Sequence, residues 1–157
     1  MHSLNELDLA ILAELERDAR ISVSKLARRL NSPNSTIRDR IRALEESGVI
    51  LGYSAIINPK KLGLGIKAII QASRAQGVPL EDFCSEAEEF PEITHLQVVT
   101  GDTDQLITVY ASNVEHLKDI MFNKVRTLPG LTRANTTIVL EEKRLPLTRR
   151  FFTMLNR

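Results

Sequence analysis

Apolar residues recur at helical spacing three times within the first fifty positions, and then the period changes. Leu7, Ile11, Leu12 and Leu15 share one face of a helix. Asn5, three residues before Asp8, has the form of a capping arrangement at its start, and residues 17–20 close it. Ser22 is placed to cap a second helix with Val23, Leu26, Ala27 and Leu30 on one side; Asn31 and Ser32 break it. Pro33 suits the first position of a third helix, where its missing N–H costs nothing, and Ser32 before it is the expected cap. Ile37, Ile41 and Leu44 are the buried stripe of that helix, and Gly48 after Ser47 is its stop. Helices of about 12, 8 and 14 residues, the last two joined by a tight turn, have helix-turn-helix proportions.

The next segment is short and apolar. Val49-Ile50-Leu51 and Ala55-Ile56-Ile57 are strand-like runs around Gly52, and Asn58-Pro59 is a turn. Such a join is expected to pack as a hinge strand, against a second subunit, rather than hang as a loose tether. From Gly65 onward strands are expected at 66–72, 93–100, 106–111 and 136–141. Between them, Leu80, Phe83, Ala87 and Phe90 make one amphipathic helix after Pro79. Val114, Leu117, Ile120, Met121 and Val125 make another, stopped by Pro129-Gly130. Gly101-Asp102-Thr103-Asp104 is the turn between the second and third strands. The order βαββαβ predicts an α+β fold, a ferredoxin-like sandwich with both helices on one face of an antiparallel sheet. Ile69 and Ile107 are expected to leave the other face apolar, which a second copy would bury, so a homodimer is expected. The chain thus divides into a helical segment at 1–50, a hinge at 51–63, a sandwich at 64–142 and a tail at 143–157.

Composition changes this picture little. The 157 residues are 43% hydrophobic and 26% charged, enough apolar content for a core, with a formal net charge of +1. No window of 18 consecutive apolar residues occurs, and the N-terminus lacks a basic segment followed by an apolar run, so neither a membrane span nor a secretory signal is expected. One cysteine, Cys84, allows no internal disulfide, which fits a cytoplasmic location.

Charge distribution changes it more. Residues 6–18 carry a net charge of −4, whereas residues 25–42 carry +5 from Lys25, Arg28, Arg29, Arg38, Arg40 and Arg42 against Asp39. A solvated face balanced by its acidic neighbour explains such a stretch as readily as a polyanion partner does. The third helix separates the two readings. Opposite its apolar stripe stand Asn34, Ser35, Arg38, Asp39 and Arg42, rather than the Glu–Lys pairs of an ordinary surface helix. Short hydrogen-bonding side chains at its N-terminal end suit base edges, and arginines beyond them suit guanine or phosphate. Double-stranded DNA is therefore the expected partner, contacted by Lys25, Arg28, Asn34, Ser35, Thr36, Arg38, Arg40 and Arg42.

Residues 4–63 resemble the Lrp/AsnC family, the feast/famine regulators of bacteria and archaea. The resemblance rests on Asp8, Ile11, Leu12, Asp18-Ala19-Arg20, Leu26-Ala27, Arg40-Ile41, Leu44-Glu45, Gly48-Val49-Ile50, Gly52-Tyr53, Asn58-Pro59 and Leu62-Gly63. The chain departs from the family pattern at Lys25, Ser32 and Pro33. The second half is similar to the family's effector domain, the module for regulation of amino-acid metabolism. That likeness lies in Pro91-Glu92-Ile93, Thr100-Gly101 with Asp104, Leu128-Pro129-Gly130-Leu131 and Thr136-Thr137-Ile138-Val139-Leu140. The resemblance implies a sequence-specific transcriptional regulator built as a winged helix-turn-helix, a hinge strand and the sandwich. It also implies a small amino-acid effector at Gly101, Asp102, Thr103, Asp104, Asn135, Thr136 and Thr137, held between dimers that assemble into octamer-like rings. In that reading Asp104 pairs with the ammonium of the effector and loop N–H groups hold its carboxylate. Taken alone, Gly101 and Asp104 are equally ordinary turn formers.

No catalytic residue, metal site or cofactor is expected. His2, His95 and His116 lie far apart without metal-ligand spacing, and Cys84 sits on a core-facing stripe. No Gly-rich phosphate loop or nucleophile elbow occurs, and Tyr110 alone is no stacking platform for RNA. Two alternatives stay open: an architectural DNA binder without effector, and an enzyme similar to siroheme decarboxylases on the same scaffold. The tail carries Arg149-Arg150-Phe151-Phe152, which reads either as a short helix packed on a partner subunit or as a partly ordered extension.

Overall fold

The computed structural model describes residues 4–148, in two compact units: one to Ile56 that also takes in the chain from Lys143, and one spanning Ile57–Glu142. The 149–152 segment lies outside the described residues. Among the described residues no helix is long and apolar enough to cross a membrane.

The first unit holds helices α1 (Glu6–Arg17), α2 (Val23–Arg29) and α3 (Asn34–Glu46). The capping box at the start of α1 forms: Asn5 Oδ1 accepts the Asp8 N–H at 2.9 Å, and Asp8 Oδ2 accepts the Asn5 N–H at 2.9 Å. Ser22 caps α2 by accepting the Lys25 N–H. The expected cap of α3 does not form. Pro33 is itself the N-cap, without a side-chain bond, and the Ser32 hydroxyl donates instead to the Leu30 carbonyl. Ile11, Leu26, Ala27, Ile37 and Leu44 make the core, with Ile41 and Ile50 packed around it. In the described part of the tail, the Leu147 and Thr148 N–H groups donate to the Glu16 carboxylate at 2.6 and 3.0 Å.

Among the described residues of the single chain, the hinge segment pairs with no strand. No strand forms within residues 51–58; they are extended, unpaired and exposed, with Leu51 95% and Ile56 82% accessible. Strand-like composition fails to make a strand here because no neighbouring edge in the chain supplies the backbone partners.

The second unit is a four-stranded antiparallel sheet of β1 (Ile66–Arg74), β2 (Ile93–Val98), β3 (Gln105–Ala111) and β4 (Leu131–Ile138) in the order β2-β3-β1-β4. Helices α4 (Leu80–Glu88) and α5 (Val114–Asp119) cover one face. Phe83 and Ala87 of α4, with Leu117 of α5 and Ile120 just beyond it, pack on Ala68, Ile70, Ala72, Ile107, Val109 and Ala111. Ile107 therefore lies under the helices, fully buried, and does not contribute to an open apolar face. That other face carries Ile69 and Leu106 among Lys67, Gln71, Thr108 and Tyr110, so it is mixed rather than apolar. Cys84 is half-buried.

Two further elements differ from the periodicity. The helix expected through Val125 keeps α-geometry only to Asp119, then widens into a π turn at Ile120–Lys124 and tightens into a 3₁₀ turn at Val125–Thr127. Ile120 and Val125, five residues apart, are both fully buried. A π turn brings positions i and i+5 onto one side, which an α-helix does not. The last strand begins at Leu131, five residues before the expected start, and pairs along β1 from Arg74↔Leu131 to Ala68↔Ile138. Its Thr132, Arg133 and Asn135 are exposed on an edge strand, which removes the alternation that marks a half-buried strand. Gly130 permits the sharp entry at φ +72, and a Cβ there would lie 2.8 Å from Val78 Cγ2.

Candidate nucleic-acid interface and ligand site

The turn between α2 and α3 is built from backbone. Asn31 takes the left-handed conformation at φ 49, and the Ser32 N–H reaches back to the Ala27 carbonyl at 3.0 Å, closing α2 with a Schellman-type bond. With no side-chain cap on Pro33, the first N–H groups of α3 are left for solvent or an anion. Asn34, Arg38 and Arg42, spaced by four, form one exposed stripe on α3, with Ser35 exposed beside it. Ser24, Arg28, Asn31 and Asn34 line an open cleft between the helices, and Lys25 is exposed on α2. Thr36 is only half-exposed. Ser24 and Asn31 were not among the expected contacts; Ser24 stands one helical turn before Arg28, which is the signal that marks it.

Arg40 is engaged within the chain. Its guanidinium forks onto the fully buried Asp8 carboxylate, with Nε donating to Oδ1 at 2.7 Å and Nη2 to Oδ2. The hydrogen bonds it donates to Asp8 hold the Arg40 guanidinium above its usual range. Arg40 therefore fastens α3 to α1. Arg29 is likewise paired, with Glu14. Lys25, Arg28, Arg38 and Arg42 make no ion pair among the described residues.

The loop at 101–104 is tied down tightly. Asp104 N–H donates to the Ala72 carbonyl at 3.0 Å, and its Oδ2 accepts the Arg74 N–H at 2.7 Å. The Thr103 hydroxyl donates to the same Ala72 carbonyl at 2.7 Å. One oxygen of the Asp104 carboxylate thus satisfies a backbone donor where β1 leaves regular register. Asp102 is exposed and unpaired among the described residues, and faces a cleft of about 210 Å³ with Gln71, Ser73, Thr103 and Arg133. Asn135 borders it, donating to Gln71 Oε1 at 3.4 Å. Thr137, opposite Ile69, follows on the same face of β4. Thr136 does not: it points to the helix side, where its hydroxyl donates to Met121 Sδ at 3.2 Å. Gln71, Ser73 and Arg133 were missed because only the pairing Ser73↔Arg133 and Gln71↔Asn135 brings them to the loop.

A third polar group lies at the other end of this unit. Glu92 Oε1 accepts from Lys124 Nζ at 2.6 Å and faces His116 Nε2 at 3.6 Å. Burial alone would raise the Glu92 carboxyl, but the bonds from Lys124 and His116 outweigh it and hold it below the usual range.

Residues 4–50 match the winged helix-turn-helix DNA-binding family, and residues 67–146 match the Lrp/AsnC ligand binding domain. An HTH-type transcriptional regulator of Pyrococcus horikoshii is 35% identical over 94% of this chain and 93% of its own length. The leucine-responsive regulatory protein of Haemophilus influenzae is 29% identical, covering 89% of this chain and 86% of its own. Among solved structures, a feast or famine regulatory protein of Mycobacterium tuberculosis complexed with L-methionine superposes with a TM-score of 0.82 at 28% identity, over 92% of this chain and 97% of that one. A transcriptional regulator of Neisseria meningitidis in complex with L-methionine shares the fold at a TM-score of 0.86 and 24% identity, over 93% of this chain and 96% of that one. A winged helix-turn-helix and a ligand-binding sandwich in this order, matched along nearly the whole chain, make the protein a member of the Lrp/AsnC family of transcriptional regulators.

Proposed function

We propose that this regulator acts in the cytoplasm as a dimer on pseudo-palindromic DNA, and that a small amino acid bound beside the 101–104 loop shifts its DNA affinity. The carrying observation is the stripe Asn34–Arg38–Arg42 on α3, flanked by Lys25 and Arg28, in which no cation is paired with an acid among the described residues. A dyad places two such helices about one helical turn of DNA apart, or a multiple of it. The exposed, unpaired Leu51 and Ile56 supply the surface by which two copies join, and larger rings of dimers extend the same contacts. For the effector, Asp102 and Arg133 across a polar cleft complement an ammonium and a carboxylate. The two L-methionine complexes of relatives support an amino acid as the ligand class.

Footprinting on the DNA upstream of the protein's own gene, with and without each of the twenty amino acids, tests both parts. A symmetric footprint modulated by one amino acid is expected. Protection that spreads along any DNA and ignores every amino acid would instead establish the architectural reading.

A further inference from the structure

The π turn after α5 opens a second groove, separate in chemistry from the loop cleft. It lies between that turn and β4, encloses about 510 Å³, and is lined by Met121, Phe122, Arg126, Leu131, Arg133 and Thr136, among others. This volume is in the range of small-molecule pockets. The groove follows from the backbone. Because the wide turn keeps both Ile120 and Val125 in the core, Phe122 is turned outward and is 50% accessible. The Arg126 guanidinium stacks 4.3 Å from the centre of the Phe122 ring. Thr136 has its hydroxyl bonded to Met121 Sδ, so that wall presents mainly methyl and thioether surface.

The charge pattern selects the ligand. Among the described residues Arg126 and Arg133 line the groove, no acidic residue does, and neither arginine has an ion-pair partner. The loop cleft differs, because there Asp102 stands with Arg133. An amino acid brings an ammonium that finds a carboxylate in the loop cleft and only cations in this groove. We propose that the groove binds an amphipathic monocarboxylate without an amino group, a 2-oxo acid with an apolar or aromatic side chain. Its carboxylate is held by Arg126, and its side chain lies over Phe122 and Leu131. Arg133 borders both clefts and belongs to the effector reading, so this inference stands on Arg126 and Phe122, which that reading does not use.

Calorimetric titration of the full chain with phenylpyruvate and with phenylalanine tests it. Phenylpyruvate is expected to bind at least about tenfold more tightly at this groove, because the amino group adds a repelled cation. Arg126→Ala and Phe122→Ala should each weaken phenylpyruvate at least about tenfold, and Arg126→Lys should recover part of that loss. Asp102→Asn, in the loop cleft, should leave phenylpyruvate binding unchanged. Melting curves of each variant confirm folding. Failure of phenylpyruvate to bind below about 10 mM, or indifference to Arg126→Ala, would overturn the proposal. So would tighter binding in Asp102→Asn, because relief of that carboxylate's repulsion would place the ligand in the loop cleft. Amino-acid binding that depends on Asp102 but not on Arg126 tests the effector reading separately.

Discussion

The exposed face of α3 and the 101–104 loop treat their polar residues in opposite ways. On α3, the backbone satisfies itself through the helix, so Asn34, Arg38 and Arg42 project without a side-chain partner among the described residues. In the loop, irregular backbone has no ladder, and Thr103 and Asp104 are consumed in satisfying Ala72 and Arg74. Regular structure frees side chains for partners; irregular structure recruits them. A second contrast lies within α3 and depends on helix face instead: Arg38 is exposed, whereas Arg40, two residues on, is bonded to Asp8.

The largest effect should come from breaking that last pair. Arg40→Leu leaves the buried Asp8 carboxylate without its guanidinium and should lower the melting temperature of the helical unit by roughly 10–20 °C. Arg38→Leu should change it by no more than about 2 °C. Thermal circular dichroism of both variants decides whether the two arginines differ as described; equal shifts would remove the distinction.

DNA binding should sort the free cations next. Arg38→Ala or Arg42→Ala is expected to cost roughly 1–3 kcal/mol at one base position and relax preference there. Lys25→Ala or Arg28→Ala should weaken all sequences alike and reduce the salt slope by about one unit. Gel shifts against a mutated operator set, repeated across salt, measure both. Uniform losses for all four variants would refute the assignment of α3 as the reading helix.

The loop predicts a smaller separation. Asp104→Ala removes an acceptor from the Arg74 N–H and should destabilise the sandwich by about 0.5–1.5 kcal/mol, read as a shift of the urea midpoint. Asp102→Asn should leave that midpoint in place while weakening the amino-acid ligand about tenfold. If Asp104→Ala weakened the ligand without any loss of stability, the carboxylate would be a ligand group after all.

The smallest effect concerns acid. The Glu92 carboxyl lies below its usual value in the folded chain, so its contribution is present above the unfolded value and lost as pH falls through the folded one. Lys124→Met removes the 2.6 Å bond and should reduce the stability lost between about pH 5 and 3. Urea midpoints across that range provide the check; an unchanged acid limb would show that Lys124 does not hold the carboxylate.

What the sequence determined by itself is what neighbouring residues decide among themselves. The three N-terminal helices, the capping box of Asn5 and Asp8, the Ser22 cap and the stop at Gly48 depend on spacing within a turn or two, so periodicity and cap chemistry display them. The core stripes Ile37–Leu44 and Phe83–Ala87 are visible for the same reason. The tertiary structure alone decided the rest. It placed Ile107 under the helices, drew β4 back to Leu131, widened the helix at Ile120 and left residues 51–58 unpaired. It also turned Arg40 inward, 32 residues from its partner, and gathered Gln71, Ser73 and Arg133 about Asp102. Each of these depends on which distant backbone or charge lies opposite. A local pattern contains the propensity of a segment, whereas its hydrogen-bond and ion-pair partners exist only once the chain has closed on itself.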